Sequence, residues 1–129
     1  LPALKACAEQ SSVVLFSSIA ASRGFPFHSS ISMAKGAIEG LTVALAAELA
    51  PQIRINTIAP SLTQSPLALP LTSNEKLAQT IAAQHPLKRL GTTDDAANIA
   101  AFLLSDQSSW ITGQIIHLDG GRSAVSSAS

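Results

Sequence analysis

Residues 32–60 read SMAKGAIEGLTVALAAELAPQIRINTIAP, and this stretch decides the fold. Ala37, Leu41, Leu45 and Leu49 recur at every fourth position, with Ile38 and Ala44 beside them, so the spacing predicts a helix from about Ser32 to Leu49. Small residues (Ala34, Gly36, Ala37, Gly40, Ala44, Ala47) are dense along it and would let another helix approach closely. Pro51 ends the helix. Ile53 to Ala59 then alternates apolar and polar partway and stops at Pro60, which suits a strand.

Upstream, Val13-Val14-Leu15-Phe16 is a short apolar run opening on two β-branched residues, as expected of a strand buried on both faces. Leu1 to Ala8 reads as the tail of a helix, and Gly24 and Pro26 mark a loop. Downstream, residues 60–72 hold Pro60, Pro66 and Pro70 and read as a loop. A helix from Ser73 to about Gln84, capped by Ser73 or Asn74, precedes a loop with Pro86 and Gly91. Thr92 and Asp95 have capping-box spacing for a helix reaching about Leu104, with Ile99, Phe102 and Leu103 as core candidates. Gln114 to Leu118 forms a third strand, ended by Asp119-Gly120-Gly121. Helices alternating with strands predict right-handed strand–helix–strand units in a partial Rossmann-like α/β fold, a parallel sheet of about three strands with flanking helices. Residues 1–129 are expected to form one domain, with 123–129 as a mobile tail.

Composition narrows the function. Hydrophobic residues make up 47% of the 129 and charged residues 12%, a balance that favours a packed core over disorder. The formal net charge is zero and there is no basic cluster, so neither nucleic acid nor an anionic membrane is an expected partner. Cys7 is the lone cysteine, and His28, His85 and His117 are isolated, so no metal site is expected. No apolar run approaches the roughly 20 residues of a membrane span and no signal peptide is visible. A cytoplasmic location follows as the expectation. The chain opens on Leu1, which suits a fragment or a processed product, and it contains no tyrosine.

Four segments in register resemble the short-chain dehydrogenase/reductase family, in its C-terminal half. They are Val13-Val14-Leu15-Phe16-Ser17-Ser18, Ser32-Met33-Ala34-Lys35-Gly36-Ala37, Ile53 to Pro60, and Thr112-Gly113 through Asp119-Gly120-Gly121. Pro86-Leu87-Lys88-Arg89-Leu90-Gly91 adds to the likeness. The resemblance implies a Ser, Tyr and Lys chemistry in which tyrosine moves the proton, lysine lowers its pKa and holds the cofactor ribose, and serine polarises the carbonyl. Ser18 and Lys35 match the serine and the lysine. Four residues before Lys35, where the pattern has its tyrosine, stands Ile31, which has no titratable proton. His28, seven residues before Lys35, has the tyrosine spacing of the divergent enoyl reductase branch, and is weighed against a plain loop histidine near Phe25 and Phe27.

The cofactor implied is NAD(P), with Lys35, Pro60, Ser61 and Ser65 as the contacts this chain could offer. The family's Pro-Gly-x-x-x-Thr here reads Pro60-Ser61-Leu62-Thr63-Gln64-Ser65, and its glycine-rich pyrophosphate turn has no counterpart in the sequence. Binding by this chain alone is therefore not expected, and Gly120 and Gly121 read as turn glycines. The expectation is a protein of oxidoreductase lineage without redox activity as it stands, a self-associating scaffold or small-molecule binder. The alternative is a working NAD(P)-dependent oxidoreductase on a carbonyl or alcohol, as a fragment of a longer chain or with a partner supplying the cofactor half. The family's sheet order places the three strands side by side, with the connecting helices expected on one face. A homo-oligomer is expected through the Val13–Phe16 strand edge and the Ala34–Ala47 helix.

Overall fold

The computed structural model describes residues 1–126. Three parallel strands, β1 (Ser11–Phe16), β2 (Ile53–Pro60) and β3 (Ile115–Leu118), lie in the order β1-β2-β3. Ser11 to Phe16 pair in register with Ile53 to Ile58, and Thr57 to Pro60 with Ile115 to Leu118. Five helices accompany them: α1 (Pro2–Lys5), α2 (Ser29–Leu49), α3 (Leu69–Thr72), α4 (Glu75–Ala83) and α5 (Thr93–Leu104).

The strand buried on both faces is β2, whose residues from Ile53 to Ala59 are all buried. β1 corrects the expectation for Val13 to Phe16: it is an edge strand, half-buried from Ser11 to Leu15 and exposed at Phe16. Pleating sends alternate residues of β2 to opposite faces. Ile53 and Ile55 meet Ala46 and Leu49 of α2, with Val13, Leu15 and Leu45 packed around them. Each isoleucine so buried contributes roughly 1.5–3 kcal/mol. On the same face Thr57 shares a hydrogen bond with the buried Thr42 of α2.

The other face belongs to α5. Arg54 is buried there, and its guanidinium donates to the carbonyl oxygens of Leu103 (3.0 Å), Ser105 (3.0 Å) and Ile111 (3.3 Å). It also donates to Ser108 Oγ at 2.9 Å and Gln10 Oε1 at 2.9 Å. No carboxylate is among these partners; the cation is held by the negative end of a helix dipole and carbonyls left free by the helix end. Asn56, two residues on, donates to the Ile111 oxygen and accepts from Gln114 N–H. The expectation of helices on one face is thus corrected: α2 and α5 cover opposite faces. Both connections advance the same way across the sheet, so they have opposite hands, and only one can be the right-handed unit predicted.

Two local readings of helix chemistry also change. The predicted stripe of Ala37, Leu41, Leu45 and Leu49 is not the buried one; Thr42, Ala46 and Leu49 are buried, while Ala37 and Leu41 are exposed. Four residues overshoot a full turn by about 40° at 3.6 residues per turn, so a strict fourth-residue stripe winds from the outer side to the inner. Residues 60–72, expected as loop, contain a 3-10 turn (Pro66–Ala68) and α3, each with a proline in its opening positions, where the missing N–H costs nothing.

The caps match their signals. Asn74 Oδ1 accepts from Leu77 N–H, and Thr92 with Asp95 forms a reciprocal capping box. Arg89 pairs with the Asp95 carboxylate through two hydrogen bonds. These bonds from Arg89, joined by the Thr92 N–H and hydroxyl, hold the Asp95 carboxyl far below the usual carboxylate range. Ser123 N–H bonds Asp119 Oδ2, and the Ala124 and Val125 N–H groups reach the Gly121 carbonyl. These three residues, assigned by sequence to the mobile tail, therefore form a bonded turn; residues 127–129 lie outside the described ones. Among the described residues no helix is long and apolar enough to cross a membrane.

Candidate active site

At the C-terminal ends of β1 and β2 the chain opens into a cleft of about 750 Å³, the usual place for a ligand on a parallel sheet. β1 runs out at Phe16 and delivers Ser17 and Ser18 to its floor. Ser18 caps the 3-10 turn Ile19–Ala21, its Oγ accepting from Ala20 N–H at 3.2 Å, which leaves its own proton free to donate. Ser17 is the more buried of the two, and its hydroxyl donates to Glu39 Oε1 at 2.8 Å.

The N-terminal turns of α2 form one wall. His28 occupies the N-cap position, Ile31 and Lys35 follow on one face, and all three line the cleft. Lys35 reaches across to β1 and donates from Nζ to the Phe16 carbonyl oxygen at 3.0 Å. His28 Nδ1 lies 2.7 Å from the Pro26 carbonyl oxygen and its ring sits 5.6 Å from that of Phe25. The carbonyl can only accept, so the proton sits on Nδ1 and Nε2 is free. The opposite wall carries Pro60, Ser61 and Ser65. Every residue singled out from the sequence thus borders one cleft.

The structure adds a cluster that the sequence did not reveal. His85, read as isolated, is buried at 1% exposure, with Nε2 2.8 Å from Ser61 Oγ and Nδ1 2.9 Å from the Ile81 carbonyl. Arg122 Nη1 donates to the same Ser61 oxygen at 3.3 Å, and its guanidinium stacks 5.1 Å from the centre of the Phe25 ring. Burial and the nearby Arg23 charge lower the Arg122 pKa. These residues are 24 and 61 positions from Ser61, and no short motif joins them.

The turn glycines are not a phosphate cradle. Gly120 and Gly121 have left-handed backbones, and Gly121 N–H is bound to Asp119 Oδ1 at 2.9 Å. Burial opposes charge on Asp119, but donors from Ser123 and Gly121 outweigh it and hold the carboxyl below its ordinary value. The turn therefore already holds an anion of its own. Among the described residues no group of three or more His, Cys, Asp and Glu is placed to hold a metal.

Comparison with known proteins accords with this geometry. A family model described as enoyl-(acyl carrier protein) reductase matches residues 2–123. Tropinone reductase-like 3 of Erythroxylum coca is 45% identical over 114 residues, covering 86% of this chain and 43% of that protein. The chain belongs to the short-chain dehydrogenase/reductase family. A second family member, the short-chain dehydrogenase/reductase SDRA of Arabidopsis thaliana, is 43% identical over 114 residues, 86% of this chain and 44% of its own length. A solved short-chain type dehydrogenase/reductase from Mycobacterium ulcerans superposes with a TM-score of 0.82 at 38% identity, covering 88% of this chain and 42% of that one. The chain thus spans less than half the length of these family members.

Proposed function

We propose that this chain carries the substrate side of a short-chain dehydrogenase/reductase and binds an apolar carbonyl or alcohol compound in its cleft without transferring hydride. The observation that carries this reading is Ile31. It lines the cleft one helical turn before Lys35, where the family resemblance asks for a proton donor. Ser18 can still donate a hydrogen bond to a substrate oxygen, and Lys35 supplies positive charge nearby. His28 has a ring nitrogen free, yet it sits exposed at the cleft rim.

The dinucleotide, as the group the family implies, is met only in part. Lys35, Pro60, Ser61 and Ser65 could touch its nicotinamide and ribose end, which supplies or accepts hydride when bound. Its pyrophosphate finds no cradle among the described residues, because the turn N–H groups that could serve are committed to Asp119. The reading extends to a cytoplasmic homo-oligomer, associated through the open β1 edge and the outer face of α2.

A second reading has its own support. Relatives more than twice this length and the open edge of β1 both suit an NAD(P)-dependent oxidoreductase whose cofactor half lies in further polypeptide or in a partner chain. Calorimetric titration of the purified protein with NADH and NADPH, followed by a panel of apolar ketones, separates the two. Ketone binding without cofactor binding at millimolar concentration supports the first. Micromolar cofactor affinity with ketone reduction overturns it in favour of the second.

A further inference from the structure

His85 takes no part in the reading above, and Ser61 enters it only as a wall of the cleft that could touch a cofactor, yet the geometry of the pair is chemically specific. The Ile81 carbonyl can only accept, so His85 carries its proton on Nδ1 and presents a lone pair at Nε2. Ser61 Oγ, 2.8 Å away, must then donate to it. A hydroxyl, a base within hydrogen-bond reach and a third group fixing the base's tautomer is the arrangement that activates a serine. Arg122 Nη1 donates to the same oxygen at 3.3 Å, so a positive charge lies beside the attacking hydroxyl.

The surroundings fit an acyl substrate. Ser61 stands between the large cleft and a side cavity of about 90 Å³ bounded by His85, Leu87 and Leu118 and, on its polar side, by Arg89, Asp95 and Asp119. A cavity this small leaves room for a short acyl group only. Ser61 is fixed by its N–H bond to the Leu118 carbonyl at 3.0 Å. Gly120, left-handed, turns the chain beside His85, where a Cβ on it would be in ordinary contact with Leu87 and His85.

We propose that Ser61 is a nucleophile with His85 as its general base, and that the site hydrolyses activated esters of short acyl groups. Ser61 Oγ bonds to the acyl carbon as its proton passes to His85 Nε2. The tetrahedral intermediate collapses, and the alkoxide leaves as the alcohol by taking that proton. Water then attacks the acyl-serine by the same route, releasing the carboxylic acid and restoring Ser61. Neither nicotinamide nor Lys35 takes part in this chemistry; it shares only Ser61 with the cofactor contacts named above.

The test is to treat the purified protein with a fluorophosphonate probe, map the adduct by peptide mass, and follow p-nitrophenyl acetate hydrolysis. One adduct on Ser61 is expected, absent in Ser61→Ala, with ester hydrolysis in that variant reduced to the buffer rate while its circular dichroism remains that of the folded protein. His85→Gln should slow labelling by about 100-fold or more. No adduct, or an adduct on another residue, overturns the proposal; if His85→Gln does not fold, the wild type and Ser61→Ala decide alone. Faster turnover of the octanoate ester than of the acetate would overturn the short-acyl assignment.

Discussion

Ile31 and Lys35 stand one turn apart on α2 and line the same cleft, with the lysine ammonium fixed 3.0 Å from the Phe16 carbonyl oxygen. A phenol at position 31 would therefore sit beside a positioned cation. Ile31→Tyr introduces the only tyrosine of the chain, so its ionisation can be read from ultraviolet absorbance without interference. The ordinary value is about 10, and a cation one turn away should lower it by roughly one unit or more. Adding Lys35→Met should return the midpoint to about 10. An identical midpoint in both variants would show that the Lys35 charge does not reach this position.

Arg54 ties the buried strand to the far end of α5 through three carbonyls, which it shares with the weaker neutral donors Ser12, Ser108 and Asn56. Arg54→Met keeps much of the volume but leaves the Leu103, Ser105 and Ile111 oxygens without this donor. A charged hydrogen-bond donor contributes about 1.5–3 kcal/mol, so a loss of roughly 3 kcal/mol is expected in urea denaturation. A loss below about 0.5 kcal/mol, the range of ordinary surface substitutions, would mean that water replaces the guanidinium.

These two residues show what sequence can and cannot reveal. The helix and strand containing them were legible because periodicity and proline punctuation are local, and so were the Thr92 and Asn74 caps. Ser18, Lys35 and Ile31 stood out only through the family resemblance, which gave meaning to their spacing. Arg54 looked like a polar residue of an alternating strand, since its partners are 44 to 57 positions away. The same distance in sequence hid His85 from Ser61. The face each helix would cover was misjudged because local pattern does not carry crossover hand.

The capping box of α5 gives a pH prediction. Asp95 titrates far lower folded than the roughly 3.9 expected unfolded, because Arg89 and Thr92 donate to its carboxylate. A depressed folded pKa means the contribution is fully present above about pH 4 and is lost as pH falls from there toward the folded value. Asp95→Asn should lower stability at neutral pH and flatten the acid limb of urea midpoints measured from pH 7 to pH 2. An acid limb as steep in the variant as in the wild type would assign the acid sensitivity to other carboxylates.

The outer side of α2 gives the prediction on association. Met33 is 76% exposed and Leu41 48%, and Ala37, Gly40 and Ala44 share their stripe. A Cβ on Gly40 would meet nothing within 4 Å, so the backbone itself is open to close approach. The fourth-residue repeat of Ala37 and Leu41 does not serve the core of this chain, since both point away from the sheet. A self-complementary apolar stripe of this kind is satisfied by the same helix of a second copy across a two-fold axis. Leu41→Lys should place two like charges at the centre of that contact and shift the protein to monomer in sedimentation velocity at micromolar concentration. Its melting temperature at high dilution should match the wild type, because Leu41 makes no contribution to the core. A variant that stays associated would move the assembly away from α2 to the β1 edge, and wild-type protein that is already monomeric would overturn association through either surface.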